Sequence, residues 1–129
     1  MESKLPAIVL IEKDTVTLDL YRRELSKSFE VLSFMEVKGV LETMAGRQVQ
    51  AVIIEPEIDA GQGWELIHSI HETYPGNSIP VIVCSTRDSG EPHFPGSVSK
   101  HLTKPVLPKE LKEKTLEVLK KRNEFVKTS

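Results

Sequence analysis

A single cysteine, Cys84, occurs in the 129 residues. A disulfide framework is therefore excluded, and the thiol's place inside an apolar run marks it as a buried inert group rather than a redox centre. No apolar run approaches the roughly 20 residues that a membrane-spanning helix requires. Positive charge is not in surplus either. Lys and Arg number 17 against 19 Asp and Glu, a formal net charge of -2, which gives no electrostatic reason to expect nucleic acid or an anionic membrane as a partner. A glycine-rich phosphate loop is missing, because EKDTVT stands where it would follow the first apolar run. Nor does a nucleophile stand paired with a base, so an enzyme is not expected. The opening MESKLPAIVLIEKD breaks its apolar run at Glu12, too early and too acidic for a signal peptide, and a cytoplasmic location is expected.

What is present fits one soluble domain spanning 1–129. Hydrophobic residues make up 39% and charged residues 28%, an ordinary balance in a chain long enough to bury a core. The apolar runs Ala7–Ile11, 29–34, 51–54 and 80–84 are each long enough for one strand and too short for a helix. Lys100–Thr103 reads as a short edge strand.

Between these runs the spacing turns helical. Leu18, Tyr21 and Leu25 recur on one face over 17–27, with Asp14 or Thr15 as cap. Val37, Val40, Leu41 and Met44 mark a second helix stopped near Gly46. Leu66, Ile67 and Ile70 mark a third, opening at Trp64 and closed by Pro75 and Gly76. Pro108 opens a last helix, 109 to about 123, with 124–129 a frayed polar tail. The core spans about 7–119. In RDSGEPHFPGSVS, residues 87–99, two prolines and two glycines oppose a full helix.

Strands alternating with helices mean βαβ units, a parallel sheet and right-handed crossovers. In such a sheet the carboxyl ends of the strands share one edge. Polar groups stand at those ends: Glu12 and Lys13, then Glu55, then Ser85 and Thr86, then Lys104. Glu55 alone reads equally well as a polar strand end in solvent. Convergence of all four clusters on one crevice favours a site instead. His68 and His71, three apart on the third helix, read as two solvated histidines rather than metal ligands.

Those clusters, in that order, resemble the receiver domain of two-component response regulators. LIEKD is similar to the acidic end of the family's first strand, with Glu12, Lys13 and Asp14 at the acidic pocket. IIEPEIDAGQG matches the segment around the phosphoacceptor, with Glu55 at the acceptor position. Ser85 and Thr86 match the fourth strand's hydroxyl position, His101 the switch residue of the fifth strand, and Lys104 and Pro105 its Lys-Pro pair. The resemblance implies a flavodoxin-like doubly wound α/β fold, a five-stranded parallel sheet of order 2-1-3-4-5 with helices on both faces, and a fourth helix shortened or absent over 87–99.

Two departures govern the functional expectation. The family's nucleophile is aspartate, and Glu55 carries the carboxylate about 1.5 Å further out, where an error of about 1 Å can cost roughly 100-fold. Lys13 occupies a position that touches Mg²⁺ in the family, and an ammonium cannot be a ligand. Glu12 and Glu55 would face Lys13 and Lys104, leaving the crevice neutral without metal. The expectation is a pseudo-receiver with Mg²⁺ binding lost or weak and no other cofactor. It would act through signalling partners, a histidine kinase or a downstream effector, with a homodimer left open. Two alternatives stand beside it: a phosphorylatable receiver with an atypical acceptor (Glu55, Glu57 or Asp59), and a small-ligand-binding flavodoxin-like domain.

Overall fold

Apolar side chains fill both faces of the central strands, and this forces helices onto both sides of the sheet. The computed structural model describes residues 5–75, 79–86 and 98–128, with the side chains of 123–128 left aside. Its five strands are β1 (Ala7–Ile11), β2 (Glu30–Phe34), β3 (Val49–Ile54), β4 (Val81–Ser85) and β5 (Lys100–Thr103). They pair in parallel in the order β2-β1-β3-β4-β5. The helices among the described residues are α1 (Thr15–Leu25), α2 (Val40–Gly46), α3 (Ile58–Thr73) and α4 (Pro108–Thr128). This is the flavodoxin-like order that the family resemblance implies.

Strand alternation sorts the core into two layers. Val9, Ile11, Val52, Ile54, Val81 and Val83 pack against Val40 and Met44 of α2 and Leu66, Ile67 and Ile70 of α3. Ile8, Leu10, Ala51, Ile53, Ile82 and Cys84 point the other way, onto Tyr21 and Leu25 of α1 and Leu111 of α4. Each fully buried Leu or Ile contributes about 1.5–3 kcal/mol, so β1 and β3, covered on both faces, anchor the fold. No helix among the described residues is long and apolar enough to cross a membrane.

Element ends depart from the sequence reading where backbone conformation intervenes. Asp14 caps α1, its side chain accepting from Thr17 N. The second helix starts at Val40 and leaves Val37 outside, because Gly39 is left-handed at φ 86 and breaks the register ahead of it. Where a frayed tail was expected over 124–129, the backbone of α4 continues to Thr128. KKRNEFVK holds no glycine or proline to end it. Most of the stretch expected to lack a full helix, 87–97, lies outside the described residues, as does Gly76.

The largest departure follows β3. The third helix begins at Ile58, not at Trp64, and is interrupted at once: Asp59 (φ 52), Ala60 (φ 56) and Gly61 (φ 91) are all left-handed. Left-handed backbone costs a non-glycine residue roughly 1–2 kcal/mol, so Asp59 and Ala60 must be held by their surroundings. Part of that hold is visible. Asp59 Oδ2 accepts from Val37 N at 2.9 Å, and α3 lies so close to the turn that a Cβ on Gly63 would stand 2.6 Å from the Pro56 carbonyl oxygen.

The clash is with backbone, which has little room to yield. Gly63→Ala is therefore expected to destabilise the protein by about 1–3 kcal/mol, read as a lower urea midpoint at unchanged slope.

Candidate functional site

Strand register decides which polar groups meet. Ile11 of β1 stands level with Ile54 of β3, Ile54 with Val83 of β4, and Ser85 with Thr103 of β5. The residues that follow those pairs emerge together at the carboxyl edge. The backbone ladder runs on past the strands: Glu12 N donates to Phe34 O at 3.0 Å, Glu55 N to Ile11 O at 3.1 Å, and Lys104 N to Ser85 O at 2.7 Å. Glu12, Glu55 and Lys104 are thus placed by the sheet itself and not by mobile loops.

Glu12 is 3% exposed, and both of its oxygens are engaged. Lys104 Nζ donates to Oε1 at 2.5 Å, reaching from beyond β5 over the ends of β4 and β3. Asp14 N donates to Oε2 at 3.2 Å. The segment after Lys104 is pinned in turn, since Tyr21 Oη donates to Val106 O at 2.9 Å. Burial pushes the Tyr21 phenol up, far beyond its ordinary range, so the hydroxyl stays a neutral donor.

Asp14 is turned to a different task. Its Oδ2 accepts from Thr17 N at 2.9 Å and from Thr17 Oγ1 at 2.6 Å. Those bonds hold its carboxyl below the ordinary value.

Glu55 is 5% exposed, and its Oε2 is buried without a hydrogen-bond partner. Loss of water raises its pKa above the ordinary glutamate value. Lys104 pulls it back, Glu12 and Glu57 push it further up, and Lys13 adds the weakest pull. A carboxyl in this setting resists ionising.

The remaining expected residues separate into near and far. Ser85 is buried at the end of β4, and Thr86 beside it is exposed. His101 is exposed on the outermost strand, opposite Val83, and Pro105, joined to Lys104 by a cis peptide, is exposed too. Lys13 takes the counter-charge role of the sequence count only weakly, as the smallest pull on Glu55. It is exposed and joins no ion pair among the described residues. With Glu12 turned inward, the next residue along an extended chain points outward. His68 Nε2 lies 3.1 Å from Glu72 Oε1 on α3.

Sequence reasoning missed three contributors: Asp59 as a tie between the turn after β3 and the segment after β2, Gly63 as the close approach of α3, and Tyr21 as the anchor behind Lys104. The glycine pair in AGQG was the only signal for the first two. Tyr21 shows in sequence as a core-facing aromatic and no more.

No model of a known protein family matches the chain, and no curated protein does. Solved structures match over nearly the whole length. A CheY-like response regulator receiver domain protein from Methanospirillum hungatei JF-1 superposes with TM-score 0.83 at 22% identity, covering 94% of this chain and 98% of that one. The signal receiver domain of an HD domain-containing protein from Pseudomonas fluorescens Pf-5 gives 0.81 at 21%, covering 98% and 96%. A receiver domain from Clostridium thermocellum gives 0.79 at 18%, covering 94% and 99%. The chain has the fold of CheY-like receiver domains.

The unpaired carboxyl yields a signed prediction. An acid whose folded-state pKa is raised costs the fold nothing below the ordinary value of 4.5, and costs it progressively more as pH rises from there through the raised value. Glu55→Gln removes that cost. The variant is expected to exceed the parent in urea stability at pH 7, with the difference closing as pH falls below about 4.5.

Proposed function

We propose that this chain is a receiver-type module of two-component phosphorelay signalling that does not take up a phosphoryl group in the ordinary way and works through protein–protein contacts. The observation that carries this reading is the full engagement of Glu12 by Lys104 and by Asp14 N. A hard divalent cation takes oxygen ligands. Here one acidic oxygen holds an ammonium, the other an N–H, and the Asp14 carboxylate caps a helix. Lys13, at the position of a further acid in the resembling family, is exposed and supplies no oxygen ligand. The donor set does not fit Mg²⁺, and binding there has to displace Lys104 from a buried carboxylate.

Glu55 compounds the misfit. Its carboxyl is desolvated, its ionised form is disfavoured, and its extra methylene carries it about 1.5 Å beyond an aspartate's reach. In-line transfer depends on positioning to about that tolerance. A Glu55 imitating a phosphorylated aspartate is supported less well, because Lys104 bonds Glu12 and leaves Glu55 Oε2 unpartnered. Among other acceptors, Asp59 already accepts from Val37 N. The solved receiver domains alongside it belong to signalling proteins, and a histidine kinase or downstream effector is accordingly the class of partner proposed. A small-ligand-binding domain draws less support from the crevice, where Glu12 and Asp14 bond within the chain.

The test is intact mass after incubation with acetyl phosphate and Mg²⁺. The unaltered chain, Glu55→Asp and Lys13→Asp are each expected to stay unmodified. Glu55→Asp combined with Lys13→Asp is expected to gain an adduct that hydroxylamine removes, because the two residues act as one unit. A labile phosphoryl group on Glu55 of the unaltered chain overturns the reading.

A further inference from the structure

Among the described residues, acids without an ion pair are more numerous on the α2–α3 side than on the α1–α4 side, where Glu110 and Glu113 also join none. On α1, Asp19 is paired with Arg22 and Arg23, and Glu24 with Lys27 and Lys112, while Glu30 of β2 is held by Arg47. On the α2–α3 side, Glu36, Glu42, Asp59 and Glu65 join no ion pair among the described residues. Residues 31–75 carry seven acids against two bases, and 108–128 carry seven bases against four acids. The helices of these two segments cover opposite faces of the sheet.

Between α2 and α3 lies an open groove of about 270 Å³. Val37, Leu41 and Leu66 line it with apolar surface, and Glu42 and Glu65 stand along it against Lys38. One end is fixed by the bond from Val37 N to Asp59. Its volume falls below the roughly 300–1,000 Å³ of small-molecule sites and suits side chains presented by a partner's segment.

We propose that this groove docks a basic amphipathic helix of a partner protein, with aliphatic side chains on the half-buried Val37 and Leu41 above the buried Leu66 and Lys or Arg against Glu42 and Glu65. The proposal rests on the contact-based output argued above and is independent of the chemistry at Glu55. A second copy of the chain is the weaker occupant. On its basic helix α4 the exposed Leu116 stands beside Glu117 and three residues from Glu113, acids that would be brought against Glu42 and Glu65.

The full chain, labelled with ¹⁵N, is titrated with an amphipathic Leu/Lys helical peptide, with the matching Leu/Glu peptide as control. Saturable amide shifts confined to 37–42 and 62–69 are expected with Leu/Lys alone. Glu42→Gln with Glu65→Gln, both exposed positions, is expected to keep the fold and weaken binding about fivefold. Three outcomes overturn the proposal: no binding, shifts spread over the acids of α1 and α4 and indifferent to the double variant, or concentration-dependent shifts at the same residues without peptide, which assign the groove to a second copy. Phosphorylation of the unaltered chain leaves this titration unaffected, so the two readings fail separately.

Discussion

The ion pair between Glu12 and Lys104 is the constraint on which the carboxyl edge of this sheet depends. It joins the end of β1 to the residue after β5, with two strands between them and 92 residues along the chain. At about 4 Å and an effective dielectric near 20, opposite charges gain roughly 4 kcal/mol before desolvation, and Glu12 is almost wholly desolvated. Such a pair adds little net stability, yet removing one partner strands a buried charge at a cost of about 3–5 kcal/mol. Its consequence is therefore less stability than exclusivity. One lysine serves two glutamates, and geometry assigns it to Glu12, which leaves Glu55 short of both a partner and water.

From that assignment the character of the crevice follows. Receiver-type chemistry requires acidic oxygens free for a cation and a carboxylate free to attack. The acids of this crevice have other engagements: Glu12 with Lys104 and the Asp14 amide, Asp14 at the cap of α1, while burial disfavours the ionised form of Glu55. The turn after Glu55 adds rigidity. Three left-handed residues, Gly63 against Pro56, and Asp59 on Val37 tie the end of β3 to the segment that opens the groove beside α2. The same short stretch of chain thus shapes both the crevice and the acidic α2–α3 face.

Much of the fold is legible in the sequence because the strands bury both faces. Continuous runs such as Ala7–Ile11 have few other readings, and Leu18, Tyr21 and Leu25 fix the inward side of α1. The order of the sheet came from resemblance, since four polar clusters in register imply a topology that periodicity alone does not. The turn after β3 was not legible: positive φ at Asp59 and Ala60 is imposed by packing and by a bond to Val37, and neither residue type demands it. The start of α2 was misplaced for a related reason, a left-handed Gly39 inside an otherwise helical pattern. At the site, residue identities were readable and pairings were not. Counting charges put Lys13 in the crevice, whereas the alternation of an extended backbone turns it into solvent.

We propose that Lys104 holds the place a divalent cation would need. This is tested most directly by the side-chain carboxyl ¹³C signals of Glu12, Asp14 and Glu55 in a Mg²⁺ titration at neutral pH. All three are expected to stay where they are through millimolar Mg²⁺. A saturable movement of the Glu12 and Asp14 signals together would contradict it.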